Sequence, residues 1–457
     1  MGRMRAVVGF DIGTSSLKAA VFSAKTCRMT ASATWNYPVR TGREIGIMPV
    51  SVYENMLQKA LVELSHNYEL ISAALTTQMY SVLKKSSEGV LVYQWNCPWQ
   101  RNPSVEEVAR AFLLRSGCRV DTLYPGYKLA SLAEEERKEF LPYGLKEDLL
   151  QFLTGNLCTD YSTASAFGVF DAVKRKWNMD AVRGLRLDES LLPRAVAHDK
   201  AVGNVRQDIL PGETVTVTPG LGDGPAASLA CTAVSSFCGN LGTSMAARVI
   251  TEKPDFSEKN GLWNYAVDDR RYTIGGISSN SCTVTDWAKS FGTAPENELP
   301  DNDEVEFFPW LLGERMPYWS SDLRGTLIGL RLRDSPDTVC GAVARGVAYT
   351  FCRMALALEP HTDPKQPLVI AGGGTNMRAL LKVITGVLNR SLVILENETY
   401  LGSIGAAISA GAAVGLKMNP DLKIREWISP THAFATSYFR WNETAEQLAD
   451  FYRRRMA

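Results

Sequence analysis

The stretch VVGFDIGTSSLKAAVF (residues 7–22) is echoed more than two hundred residues later by SFCGNLGTSMAARVI (residues 236–250). Each copy has an apolar, β-like lead-in, a Gly-Thr-Ser turn and an apolar continuation built of small residues. In the first copy, apolar residues run through 7–10 and again through 19–22, with Gly13, Thr14 and Ser15 between them. That pattern reads as strand, tight turn, strand. A strand-turn-strand unit written twice, so far apart, predicts two domains built on one plan.

The surrounding segments fit that plan. In the first half, 52–64 has helical period, 71–77 and 89–95 read as strands, and 145–155 reads as a helix ended by glycine. Residues 213–234 read as a strand, a glycine-rich turn holding one acid, and a small-residue helix. The second half repeats the scheme. Residues 272–291 read as strand, polar loop and helix, and 338–358 as a long, buried, small-residue helix. Residues 367–396 read as strand, glycine turn, helix and strand, and 402–416 as an Ala/Gly-rich helix. Alternating strands and helices in both halves predict two α/β domains. No low-complexity linker parts them. The boundary is placed just before the second copy of the motif, giving domains 1–233 and 234–457.

The totals agree with this reading. A chain of 457 residues is too long for one ordinary core. Its 45% hydrophobic and 21% charged content is that of a globular protein. Lysine plus arginine equals aspartate plus glutamate at 49 each, so the net charge is zero, which speaks against nucleic acid as a partner. No apolar run is long enough to span a bilayer, and no membrane partner is expected. The apolar start is short and interrupted by Asp11, so it reads as a first strand rather than a signal peptide. The nine cysteines are scattered and form no Cys-x-x-Cys pair, which suggests free thiols and a cytoplasmic protein. The histidines (His66, His198, His361 and His432) show no ligand spacing. A transition-metal site or a serine-histidine triad is therefore not expected. The sequence does not decide the oligomeric state, and a homodimer is compatible with it.

Four motifs carry chemistry. In Asp11-Ile12-Gly13-Thr14-Ser15, a glycine turn lets backbone amides and hydroxyls approach a phosphate closely. Asp11, at the strand end, is placed to orient Mg2+ through water, and Lys18 adds positive charge. The plain alternative is a β-hairpin turn without a ligand. Gly242 and Thr243 repeat the turn with Asn240 in place of the acid. Two such turns facing each other across a cleft can hold successive phosphates of one nucleotide. The third motif, Gly372-Gly373-Gly374-Thr375-Asn376, follows an apolar strand and can admit an adenine or ribose against bare backbone. It has neither the Gly-Lys-Ser/Thr of a Walker loop nor the spacing of a dinucleotide fingerprint. In the fourth, Asp223 sits between two glycines at a helix start. A kinase needs one base to take the proton of the accepting hydroxyl, and Asp223 is the candidate. An N-cap aspartate is the alternative.

With these motifs in view, the chain resembles the FGGY carbohydrate kinases. The Asp-Ile-Gly-Thr start, the Gly-Asp-Gly turn, the second Gly-Thr-Ser, the segment FFPWLLGERMPYW (residues 307–319) and the triple glycine appear in that family's order. The segments NLGTSMAARVITEKP, YTIGGISSN and GERMPYW look closest to the gluconate-kinase-like branch, with xylulose kinases second. The resemblance implies two duplicated ribonuclease-H-like domains, of the actin-like ATPase type, closing around ATP. It implies that Asp11, Gly13, Thr14, Ser15 and Lys18 form the first phosphate loop and that Gly242 and Thr243 form the second. It further implies that Gly372, Gly373, Gly374 and Asn376 hold the adenosine and that Asp223 is the base.

Gln78, Met79 and Tyr80 stand where the family commonly has a Met-His pair touching the sugar. Several departures cluster there. Tyr80 replaces the histidine, and Trp99 stands where an acid is expected, although Arg101 is kept. Ile47 and Met48 replace a Glu-Gln pair, and the stretch 102–127 is short. Polar groups give way to aromatic ones, which changes how a polyol can be held.

Three functional readings follow. The first is an ATP-dependent kinase of a sugar or sugar acid, gluconate-like, with a ketopentose such as xylulose or ribulose as the alternative substrate. Arg101 and Arg315 are the cations available to a carboxylate, and a structural ion pair is the other role for Arg315. The second is a catalytically weak nucleotide-dependent binder on the same fold; the presence of Asp223 and Asp11 argues against it. The third, a chaperone-like ATPase, would need a substrate-binding appendage after the ATPase core, and none is seen before Ala457.

Overall fold

Ala6, Val7, Val8, Phe10 and Ile12 are fully buried, so the strand Met4–Ile12 must be covered on both faces. The computed structural model, which describes residues 2–38, 46–293, 296–299, 303–430 and 433–456, shows how. His432 lies outside these residues. Successive side chains of a strand point to opposite faces. Ala6, Val8, Phe10 and Ile12 accordingly join one core with Tyr53, Leu57 and Leu61 of the helix Val50–Asn67. Val7 points the other way, into a core with Ile404 and Ala407 of the helix Leu401–Ala413. That helix comes from the far end of the chain.

Met4–Ile12 runs antiparallel to Ser16–Ser23, which runs antiparallel to Met29–Asn36. On its other side lie Tyr68–Thr77 and then Thr216–Thr218, both parallel to it, and an antiparallel edge, Gly203–Asn204. The second sheet matches strand for strand. Phe237–Leu241, Met245–Thr251 and Tyr272–Ser278 form the antiparallel meander. Leu368–Ala371 and Leu392–Leu395 add the parallel strands, and Ile424–Ile428 is the antiparallel edge. The second sheet has one further strand, Trp263–Ala266, outside its meander. The duplication expected from the two Gly-Thr-Ser units thus extends over both sheets.

Element boundaries shift where the chain changes state without a loop. The helix expected at 52–64 runs Val50–Asn67, begun by the extended Pro49. Tyr68 is already extended while its N–H still donates to the Leu64 carbonyl, so the next strand starts at once. The triple glycine does not open a long helix directly. A 3-10 turn, Gly373–Asn376, comes first, and the helix Arg378–Leu388 follows.

The Ala/Gly-rich composition of Leu401–Ala413 has a steric cause. Ser403 and Ala407 lie where a Cβ on Gly9 would point, and the Ala226 carbonyl lies where a Cβ on Gly405 would point. Ala226 belongs to the helix Asp223–Cys231. One helix therefore touches both the first strand and the helix that begins with Asp223, at bare backbone. In an open helix, Gly405→Ala would gain about 1 kcal/mol from propensity. Here the added methyl meets a carbonyl, and overpacking costs about 1–3 kcal/mol. The variant is expected to melt below the wild type in differential scanning calorimetry. An equal or higher midpoint would show that this contact is not tight.

Candidate active site

A cavity of about 550 Å³ lies between the two halves, lined by Asp11, Lys18 and Asp223 from the first and by Asn240, Arg248 and Gly372–Gly373 from the second. Asp11 and Lys18 are direct cross-strand partners, so the strand pairing itself sets acid against base. Asp11 is pressed on by the distal helix: a Cβ on Gly402 would stand 2.5 Å from Asp11 Oδ2. Burial first, and then the charge of Asp223, push the Asp11 carboxyl up to about 7, with Lys18 opposing.

Asp223 is the first residue of its helix rather than its cap, a position Gly222 takes. Its Oδ1 accepts the Gly224 N–H at 2.8 Å. Water reaches the carboxylate from the cleft, but protein surrounds it on the remaining sides. This enclosure raises its pKa, and the nearby Arg248 charge opposes the rise.

The turn that carries Asp223 is held from beneath. The Gly222 N–H donates to Ser162 Oγ at 3.0 Å, and Ser162 Oγ donates in turn to Asp160. Asp160 also receives Lys146 Nζ at 2.5 Å and the Ser162 N–H at 2.7 Å. Lys146 and Asp160 are 1% and 0% exposed, so this is a buried ion pair. Burial alone would raise the Asp160 carboxyl; the Lys146 charge and the bonds from Lys146, Ser162 and Thr163 outweigh it and hold the group below the usual range.

The two Gly-Thr-Ser turns continue the strands whose Asp11 and Asn240 line the cavity. Gly13, Thr14, Ser15, Gly242 and Thr243 are not in the cavity wall itself. Each turn is braced through its carbonyls. Gln94 Nε2 donates to Thr14 O at 3.4 Å and the Tyr37 N–H to Ser15 O at 3.0 Å. The Cys282 N–H donates to Gly242 O at 3.1 Å and Thr283 Oγ1 to Thr243 O at 2.8 Å. Among the described residues, no protein acceptor takes the N–H of Thr14, Ser15, Thr243 or Ser244. These turns therefore offer free donors, the property a phosphate loop requires. The two copies differ: the pair Asp11–Lys18 of the first corresponds by register to Asn240–Ala246 in the second, so the second lacks both charges.

The glycine motif divides. Gly372, at φ 99°, gives its N–H to Glu398 Oε2 at 3.0 Å. Gly372, Gly373 and Asn376 line the cavity. Gly374 does not; a Cβ there would stand 2.7 Å from Leu241 Cβ, so this glycine serves packing.

The residues expected at the sugar lie outside the cavity wall. Gln78 is buried, with its N–H on Ile12 O and its Nε2 on the Tyr53 hydroxyl at 3.3 Å. Met79 packs against Gly222, where a Cβ would stand 2.6 Å from its sulfur. Tyr80, at φ 67°, bonds the Tyr265 hydroxyl at 3.0 Å within an aromatic group that includes Tyr124 and Trp263. The buried Lys128 donates to the Tyr80 carbonyl at 2.7 Å, and burial pushes its ammonium down to about 7. The charge of Arg101 is taken by Glu106 at 2.5 Å, and it also donates to Ser321. Arg315 faces Asp121 at 3.9 Å, the ion-pair role considered for it. Trp99 joins Tyr93 and Phe140 in a separate aromatic contact.

Sequence reasoning missed Arg248, Glu398 and Arg425, although all three line the cavity. Glu398 binds both the Gly372 N–H and, at 2.9 Å, Arg425. No motif marks these residues, because each sits in an otherwise ordinary strand or turn.

The buried pair beneath Asp223 gives a test. Asp160 has a lowered folded-state pKa, so its stabilisation is present above the unfolded value, near 3.9, and is lost as pH falls through the folded one. Asp160→Asn leaves Lys146 buried without its partner, and we expect a loss of about 3–5 kcal/mol at pH 7. In urea unfolding, the gap to wild type should narrow as the pH falls below about 4. A gap under about 1 kcal/mol at pH 7 would show that the pair does not hold the turn.

Comparison with known proteins agrees with this architecture. The model of the N-terminal domain of the FGGY family of carbohydrate kinases matches residues 6–230, and that of its C-terminal domain matches 239–414. The chain is 26% identical over 453 residues to a gluconokinase of Bacillus subtilis, covering 90% of this chain and 88% of that protein. It is 24% identical over 441 residues to a xylulose kinase of Staphylococcus xylosus, covering 89% and 90%. In three dimensions it overlays a gluconate kinase from Lactobacillus acidophilus with a TM-score of 0.82 at 20% identity, over 99% of both chains. The two duplicated halves thus share the two-domain fold of these sugar-kinase structures. Both family domains match in order and together span most of the chain, so it belongs to the FGGY family of carbohydrate kinases, phosphotransferases that move a phosphoryl group from ATP to a sugar hydroxyl.

Proposed function

We propose that this sugar kinase phosphorylates a sugar acid of the gluconate class, with Asp223 as the base that takes the proton of the accepting hydroxyl. The observation that carries the reading is the meeting of Asp11, Lys18 and Asp223 in one cavity whose lining strands run on into two turns with free N–H donors. In this reading residues 1–233 supply the first phosphate turn and the base, and 234–457 supply the second turn and the nucleoside side. The family matches at 6–230 and 239–414 support that division. The gluconate class is favoured by the gluconokinase relatives, and a ketopentose is the second reading because a xylulose kinase is nearly as similar. The free thiols of all nine cysteines suit a cytoplasmic enzyme. Among the described residues, no helix is long and apolar enough to cross a membrane.

The chain's own residues divide the work. Gly13, Thr14 and Ser15 on one side and Gly242 and Thr243 on the other bind phosphate oxygens through backbone N–H groups. Lys18 balances their charge. Gly372, Gly373 and Asn376 leave room for the nucleoside. Tyr80 shapes the acceptor side through the aromatic group it joins with Tyr265 and Tyr124, Gln78 and Met79 support it through Tyr53 and Gly222, and Arg101 acts through its pair with Glu106. Halves that close on the substrate would exclude water and limit wasteful hydrolysis.

Magnesium suits the donor set. Asp11 and Asp223 bring two carboxylates together, and their repulsion is part of what raises Asp11. Among the described residues, no group of three or more metal-ligating side chains exists. That composition fits an ion held mainly by water and phosphate oxygens. When bound, magnesium would offset the charge of the phosphates beside Asp11.

A coupled assay of ADP release over gluconate, xylulose, ribulose and glycerol tests the proposal. Gluconate is expected to raise turnover most, and Asp223→Asn to lower it by about 10²–10⁴-fold. Equal turnover in the variant would remove Asp223 from the role of base. Preference for xylulose would move the substrate to the ketopentose class.

A further inference from the structure

We infer that Arg248 is a catalytic cation, contacting the phosphoryl group as it passes to the acceptor; this rests on Asp223 being the base. Arg248 belongs to the strand Met245–Thr251, which follows the second Gly-Thr-Ser turn. Its register partner is Cys238, two residues before the Asn240–Ala246 pair. The second half lacks the acid-base pair of the first copy and carries its cation two residues further along the strand from the turn.

The placement is built by a glycine. A Cβ on Gly224 would stand 2.7 Å from Arg248 Nε, 3.0 Å from Cζ and 3.2 Å from Nη2. The guanidinium therefore lies flat on the second residue of the helix that begins with Asp223. Any larger residue at 224 would push it away. The side chain lines the same cavity as Asp11, Lys18 and Asp223. Its charge is felt by Asp223, Tyr80, Cys231 and Cys238.

Arg248 is also unspent. Among the described residues, no carboxylate lies within ion-pair distance of its guanidinium and no hydrogen bond engages the side chain. The other arginine of the cavity, Arg425, is held by Glu398 at 2.9 Å. An arginine with five free N–H donors in a cleft lined by carboxylates is suited to oxygens that arrive with the substrate. Phosphoryl transfer spreads negative charge over three equatorial oxygens and is accelerated by a positioned guanidinium. Lys18 sits on the Asp11 side and Arg248 on the Asp223 side, so each carboxylate has a cation near it.

A second role has to be separated from this one. Arg248 also favours the ionised form of Asp223, whose other charged or titratable neighbours are Asp11, Lys146 and Tyr80. A residue acting only in that way would be replaceable by alkaline pH. The experiment compares wild type, Arg248→Gln, Arg248→Lys and Asp223→Asn in the full chain. It measures turnover from pH 6 to 9.5, ADP affinity by calorimetry, and thermal midpoint. Arg248→Gln is expected to lower kcat by about 10²–10³-fold at every pH, with ADP affinity and midpoint near wild type. Arg248→Lys should recover part of the loss, because the charge returns without the bidentate fork. Three results would overturn the inference: kcat within about threefold of wild type, recovery of Arg248→Gln at high pH, or a loss matched by falls in midpoint and ADP affinity. If Asp223→Asn keeps wild-type turnover, the site reading fails instead, whatever Arg248 does.

Discussion

The helix Leu401–Ala413 touches both the first strand and the helix that begins with Asp223 at bare backbone, and the cleft depends on those contacts. Its Ser403 and Ala407 lie against Gly9, its Gly402 against the Asp11 carboxylate, and its Gly405 against the carbonyl of Ala226. Gly9 and Asp11 belong to the first strand, and Ala226 to the helix that starts with Asp223. A single element from the second half thus sets how far Asp11 stands from Asp223. Side chains would hold these parts apart, so the helix is written in glycine, alanine and serine. Close packing of this kind is stiff, and one added methyl is felt.

From that packing follows the electrostatic character of the cleft. Two carboxylates are brought into one partly desolvated space, where burial raises both and the charge of Asp223 raises Asp11 further. Cations are set around them by different means: Lys18 by strand register, Arg248 by the missing side chain of Gly224, and Arg425 by its ion pair with Glu398. The duplicated scaffold supplies matching turns, while its charged residues are distributed unequally. Such asymmetry suits a nucleotide, whose phosphates and nucleoside make different demands on the two sides.

Much of this was legible before the fold was known. The repeated Gly-Thr-Ser unit announced the duplication, because the turn needs small residues and the flanking strands need apolar ones. Asp11, Lys18, Asp223, Gly372, Gly373 and Asn376 were named and do share one cavity. Arg248 was not, since an arginine in an apolar strand looks like any edge residue until two halves close over it. Lys146 was equally hidden: within a helical pattern it reads as solvated, yet it is buried against Asp160. Gln78, Met79, Tyr80 and Arg101 were assigned to the sugar by position. The side chains of Gln78, Met79 and Tyr80 are engaged with Tyr53, Gly222 and Tyr265, contacts that cross from one element to another and leave no local trace in sequence, whereas Arg101 is taken by Glu106 five residues on. Gly374 shared a motif with two cavity glycines but packs on Leu241, because a 3-10 turn rather than a helix follows the strand.

The central claim is that one nucleotide is held at once by the turns of both halves. Amide hydrogen exchange with and without ADP and magnesium tests it most directly, because the N–H groups of Thr14, Ser15, Thr243 and Ser244 are free in the protein alone. The account predicts that exchange slows on binding at both 13–16 and 242–244. Protection at only one turn, or at neither while ADP is bound, would contradict it.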